Sequence, residues 1–108
     1  MLARNRLKKS SDFQRVYGAR LRRDGTVVTV YSRPNQLAYA RVGFSVSTKV
    51  GGAVVRNAVK RRLRAICRDW LEAGTDSGVD VVVVARPAAA AASFDTLADE
   101  LRGLLRGV

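Results

Sequence analysis

Phe13, Val16 and Tyr17 stand at i, i+3 and i+4, and this spacing predicts a short helix. Ser11 and Gln14 give it a capping-box pattern and Gly18 a stop. The β-branched run Thr26–Tyr31 follows Gly25 and ends at Arg33-Pro34-Asn35, a strand and then a turn. Over residues 38–47, Ala40, Val42, Phe44 and Val46 alternate with Tyr39, Arg41, Gly43, Ser45 and Ser47. That alternation predicts a strand in a sheet with one apolar face and one small, polar, open face. Val55, Val59, Leu63, Ile66 and Trp70 then fall on one helical arc, predicting a long helix from about Ala53 to Ala73 and a loop over Gly74–Gly78. The near-continuous apolar run Val79–Val84 reads as a buried strand, and alanines 88–92 as a helix-friendly spacer. Ser93 caps a last helix with a stripe of Phe94, Leu97, Leu101, Leu104 and Leu105, leaving Asp95, Asp99 and Glu100 on a solvated face.

The expected order is α-β-β-α-β-α, with room for a further short strand around Arg20–Arg23. Two strands separated by a long helix imply a parallel pair with a crossover, covered on one face by the two longer helices. At 108 residues the chain has the length of one domain. Residues 1–9 are basic and without period, an N-terminal arm open to ordering by a partner.

Charge sharpens this picture. Residues 1–68 hold 17 of the 20 Lys and Arg and only Asp12 and Asp24 among the acids, while residues 69–108 are net acidic. On the long helix, at about 100° per residue, Arg56, Lys60, Arg61, Arg64 and Arg68 fan over roughly 140°, with Asn57 among them. Arg56, Lys60, Arg64 and Arg68 form an i,i+4 ladder of like charges, which repel by a few tenths of a kcal/mol per pair. A polyanion that neutralises the ladder explains it better than a merely solvated face, and nucleic acid is the default partner. Beside Arg15, Arg20, Arg22 and Arg23, the aromatic residues Phe13, Tyr17 and Tyr31 read either as core or as stacking platforms for unpaired bases. Pattern alone leans to the core.

Several chemistries drop out. The chain has no His and one Cys, so it cannot supply a His general base, a Cys–His pair or a soft-ligand zinc site. No paired-carboxylate site is visible, and the basic two thirds offer too few acids for the metal cluster of a self-sufficient nuclease. Cys67, at the edge of the apolar arc, reads as a small buried residue rather than a reactive thiol. No apolar run approaches the roughly 20 residues that span a bilayer. Residues 1–6 lead into charge rather than an apolar signal segment, and a single cysteine suits a reduced cytoplasm.

The stretch Lys49-x-Gly51-x-Ala53-Val54-x-Arg56-Asn57-x-x-Lys60-Arg61-x-x-Arg64 closely resembles the signature of the protein subunit of bacterial ribonuclease P. Arg4-Asn5-Arg6-Leu7-Lys8-Lys9 with Asp12-Phe13, and Arg41-Val42-Gly43-Phe44-Ser45-Val46-Ser47, resemble that family's opening and the strand before its signature helix. The resemblance implies an α+β fold, a two-layer α/β sandwich like domain 2 of ribosomal protein S5, with a left-handed β-α-β crossover. That hand runs against the approximately 98% right-handed rule, so chain physics alone predicts the opposite.

The resemblance also implies a role without protein-borne catalytic residues. The family's protein binds a large RNA, which uses magnesium to remove the 5′ leader of precursor tRNA; no metal site, membrane or small-molecule substrate is implied for the protein. Lys49, Arg56, Asn57, Lys60, Arg61, Arg64 and Arg68 would face the RNA subunit, with Arg4, Arg6, Lys8 and Lys9 in support. Phe13, Tyr17 and Tyr31 would hold the single-stranded leader, which reverses the core preference. Ala58, Tyr17 and Thr48 depart from commoner family residues. The rival is a structural RNA-binding protein of ribosomal type, which needs the cationic helix but not the aromatic cleft.

Overall fold

The computed structural model describes residues 2–74 and 78–108. In chain order these form α1 (Ser10–Gly18), β1 (Leu21–Asp24), β2 (Val28–Pro34), β3 (Arg41–Ser45), α2 (Ala53–Glu72), β4 (Val79–Ala85) and α3 (Phe94–Leu105). The further short strand is therefore present as β1. Of the loop expected over Gly74–Gly78, residues 75–77 lie outside the described residues. No helix among the described residues is long and apolar enough to cross a membrane.

The four strands make one sheet in the order β1-β2-β4-β3. β2 pairs antiparallel with both β1 and β4, and β3 pairs parallel with β4, joined to it through α2. β4 explains its own valines. Val81 and Val83 pack into the large core with Val59, Leu63 and Ile66 of α2 and Leu97 and Leu101 of α3, while Val82 packs against Val16 of α1 and Leu7. A strand covered on both faces needs apolar side chains at successive positions. Beyond α2 and α3 on one face of the sheet, α1 thus partly covers the other.

Several sequence expectations change in three dimensions. Helix α1 begins one residue before Ser11: the Lys9 carbonyl accepts from the Asp12 and Phe13 amides, and no side chain caps the helix. Ser11 is already inside the first turn, where its hydroxyl cannot cap. The strand expected over residues 38–47 is shortened to β3 (Arg41–Ser45), and at its start Asn35 holds the approach in a turn. The Asn35 side chain donates to the Tyr39 carbonyl at 3.2 Å and accepts from the Leu37 amide at 2.8 Å. The small-residue face of β3 is closed where Gly43 lies, since a Cβ there would come within 2.5 Å of Phe13 Cζ. The apolar stripes of α2 and α3 start a turn later than their sequences suggest: Val55 is 39% and Phe94 40% exposed, and both lie in first turns.

Glu100 is the largest departure. Its carboxylate accepts from the backbone amides of Thr26, Val27 and Val28 at 2.6, 2.7 and 2.9 Å. It thereby closes the β1–β2 turn onto α3, and Gly25 leaves the space for it, because a Cβ there would collide with the carboxylate. Ser93 caps α3 as its sequence predicts, accepting from the Thr96 amide at 3.1 Å.

The N-terminal arm lies along the outer edge of β3. Arg6 forms a parallel bridge with Val42, the Leu7 amide donates to the Val42 carbonyl at 3.0 Å, and Asn5 Nδ2 donates to the Ala40 carbonyl at 2.7 Å. With Leu7 buried beneath α1, the arm covers an edge that would otherwise present unpaired backbone groups.

Candidate nucleic-acid interface

Burying Val59, Leu63, Ile66 and Cys67 fixes the rotation of α2, and the rotation decides which cations face outward. Asn57, Arg61, Arg64 and Arg68 are exposed, as is Lys49 in the turn before the helix; Arg56 and Lys60 are half-buried. Arg56 uses one donor on the chain itself, Nε to the Gly51 carbonyl at 3.1 Å, which ties the ladder's first residue to the glycine turn. Among the described residues, no ion pair engages any cation of this ridge; the acids that pair do so with Arg15, Arg22 and Arg41. A ridge of unpaired like charges holds a strong positive potential.

The arm adds to the ridge. Arg6 meets Arg61, Arg64 and Arg68 around a recess of about 360 Å³. A second recess, of about 440 Å³, brings Arg4, Arg6, Lys8 and Lys9 together with Arg15 and Arg41. Arg6 lines both, so the cations of the arm join those of α2 in one surface. Arg4 also stacks over the Tyr39 ring, 5.0 Å from its centroid. Sequence reasoning missed Arg41, whose guanidinium is fixed by Asp80; the strand pairing that joins them could not be read from spacing.

The aromatic residues gather on the α1 face of the sheet. Phe13, Tyr17, Tyr31 and Val84 are half-buried around the fully packed Leu7, Val16 and Val82. Phe13 lies over Gly43 of β3 and Tyr17 over Tyr31 of β2, the two tyrosine rings edge to face at 4.9 Å and 84°. The next row of the sheet, Thr29, Val84 and Ser45, has Val84 and Ser45 partly open to solvent. Phe13, Tyr17 and Tyr31 thus pack against this cluster and keep part of their surface open to solvent.

Cys67 is buried, and burial pushes its thiol up to about 12. It is inert packing. Among the described residues, no three His, Cys, Asp or Glu side chains come together as a metal site.

The sequence profile of the Ribonuclease P family matches residues 1–108. The chain belongs to the ribonuclease P protein family. The ribonuclease P protein component of Caldanaerobacter subterraneus is 42% identical over 101 residues, covering 94% of this chain and 86% of the relative. That of Pseudarthrobacter chlorophenolicus is 45% identical over 103 residues, covering 93% and 74%. Among solved structures, the RNase P protein of Staphylococcus aureus superposes with a TM-score of 0.85 at 31% identity, covering 94% of this chain and 93% of that one.

Family membership makes this chain a ribonuclease P protein component, part of an endoribonuclease ribonucleoprotein that processes tRNA. The resemblance read from Lys49–Arg64 is therefore correct, and an RNA partner follows from family membership.

Proposed function

We propose that this protein binds the RNA subunit of ribonuclease P through the α2 ridge and the arm, and holds the single-stranded 5′ leader of precursor tRNA in the cleft between α1 and the sheet. The observation that carries this reading is the convergence of Arg6 with Arg61, Arg64 and Arg68, cations with no acidic partner among the described residues, beside a half-open cleft of Phe13, Tyr17 and Tyr31. Lys49, Arg56, Asn57 and Lys60 extend the RNA-subunit surface, and Arg4, Lys8 and Lys9 support it from the arm. Aromatic faces are sequence-tolerant platforms for unpaired bases, worth about 1–3 kcal/mol per base. The chemistry belongs to the RNA, with magnesium held on the RNA side. The protein's part is to screen phosphates and to position the substrate.

Cleavage of precursor tRNA by a bacterial ribonuclease P RNA at low, near-physiological magnesium tests the reading. Adding the protein should strongly stimulate cleavage at the correct 5′ end. In the same holoenzyme, Phe13→Ala should weaken precursor more than mature tRNA. RNA binding without stimulation, or equal losses on both tRNAs, would overturn the corresponding half.

A further inference from the structure

The cations of β1 take no part in the reading above. Register sets Arg22 opposite Tyr31, Tyr31 opposite Val82, and Val82 opposite Gly43, so one row crosses all four strands on the α1 face. Phe13 covers the Gly43 end of this row and Tyr17 meets Tyr31. Arg22 is the row's outer end. Its guanidinium carbon lies 5.5 Å from the centre of the Tyr31 ring, and its Nε donates to Asp24 Oδ1 at 2.8 Å. The same carboxylate oxygen accepts from Thr29 Oγ1 at 3.0 Å, so Asp24 is itself anchored to β2.

An ion pair this exposed contributes little to stability. Its effect is on orientation. A planar guanidinium laid against an aromatic ring, with one edge occupied by a fixed carboxylate, keeps its remaining N–H groups for another acceptor and has less freedom to lose on binding. Arg23, the next residue, is turned to the opposite face against Gly107, so Arg22 is the strand's cation on the cleft side. From Gly43 to Arg22 the row spans three strand spacings, about 14 Å. Cations stand at both ends: Arg6, Lys8 and Lys9 of the arm beside β3, and Arg22 itself on β1.

We propose that Arg22 is a further leader-binding residue, holding a backbone phosphate of the single strand where it leaves the aromatic cleft over β1. This rests on the leader-binding reading of the cleft. Planar bidentate recognition suits Arg for a phosphate in a way that Lys does not reproduce.

The test uses the reconstituted holoenzyme and compares precursor tRNA carrying a leader with mature tRNA for R22A, R22K and F13A. R22A should weaken precursor roughly fivefold or more, leave mature tRNA and RNA-subunit affinity unchanged, and flatten the salt dependence of precursor binding by about 0.7 in log–log slope. R22K should keep the wild-type slope at reduced precursor affinity. Wild-type precursor binding by R22A beside a leader-selective loss in F13A would remove Arg22 and leave the cleft reading standing. Equal losses on both tRNAs, or an R22K salt slope matching R22A, would overturn the phosphate assignment. Loss of leader selectivity in neither R22A nor F13A would overturn the cleft reading and this proposal with it.

Discussion

Arg41 and Asp80, register partners across the parallel pairing of β3 and β4, meet at two points: Nε to Oδ1 at 2.8 Å and Nη2 to Oδ2 at 2.7 Å. Asp80 is 1% exposed and also accepts from Asn35 Nδ2 at 2.7 Å. The hydrogen bond to Asp80 raises the Arg41 pKa, and Arg41 reaches on to Asp12 of α1 at 3.9 Å. One buried carboxylate thus links the turn before β3, the sheet and the first turn of α1.

Arg41→Ala should destabilise the fold by about 3 kcal/mol, the low end for breaking a buried pair, because Asn35 still serves the carboxylate. Urea denaturation measures this. Replacing both partners, Arg41→Met with Asp80→Val, should recover much of the loss, since the cost of the single change is an uncompensated buried charge. A double variant no more stable than Arg41→Ala would contradict that account.

Glu100→Ala should cost about 2 kcal/mol or more, because three backbone amides of the β1–β2 turn lose a charged acceptor. Hydrogen exchange should locate the effect. The amides of Val27 and Val28 are expected to lose protection well before those of β4, and uniform loss across the sheet would argue against a local lock.

Gly43→Ala places a methyl group against Phe13 Cζ and Leu7 Cβ. Overpacking of this kind costs about 1–3 kcal/mol. Its sharper effect should be displacement of Phe13, seen as a weaker preference of the holoenzyme for precursor over mature tRNA with RNA-subunit affinity retained.

Cys67 should resist alkylation in the native protein at pH 8 and react once the chain is unfolded. Burial raises its pKa from the ordinary 9.0 to about 12, so the native state holds a proton that the unfolded state releases. This contribution to stability is fully present below pH 9.0 and falls as pH rises from there towards about 12. Cys67→Ala should flatten that alkaline decline.

Most of the fold and the cationic face of α2 were legible in the chain because they rest on local periodicity. The 3.6-residue spacing of Val59, Leu63 and Ile66 orients α2, and orienting α2 exposes Arg61, Arg64 and Arg68. The continuous valines of β4 announce a strand covered on both faces. Composition likewise withheld His and placed the cations in the first two thirds of the chain. Each of these is a property of neighbouring residues or of simple counting.

Tertiary structure alone decided what depends on residues distant in sequence. Glu100 reads as one more solvated acid on α3 until the chain returns it to the amides at Thr26–Val28, more than 70 residues away. Arg41 reads as a polar-face residue until the parallel pairing sets it beside Asp80. Phe13 and Tyr17 find their neighbours only when α1 is laid across Gly43 and Tyr31, and Arg6 joins Arg61, Arg64 and Arg68 only once the arm pairs with β3. Periodicity fixes which face of an element is apolar, but strand order and register decide which faces meet, and those are set by the packing of the whole chain.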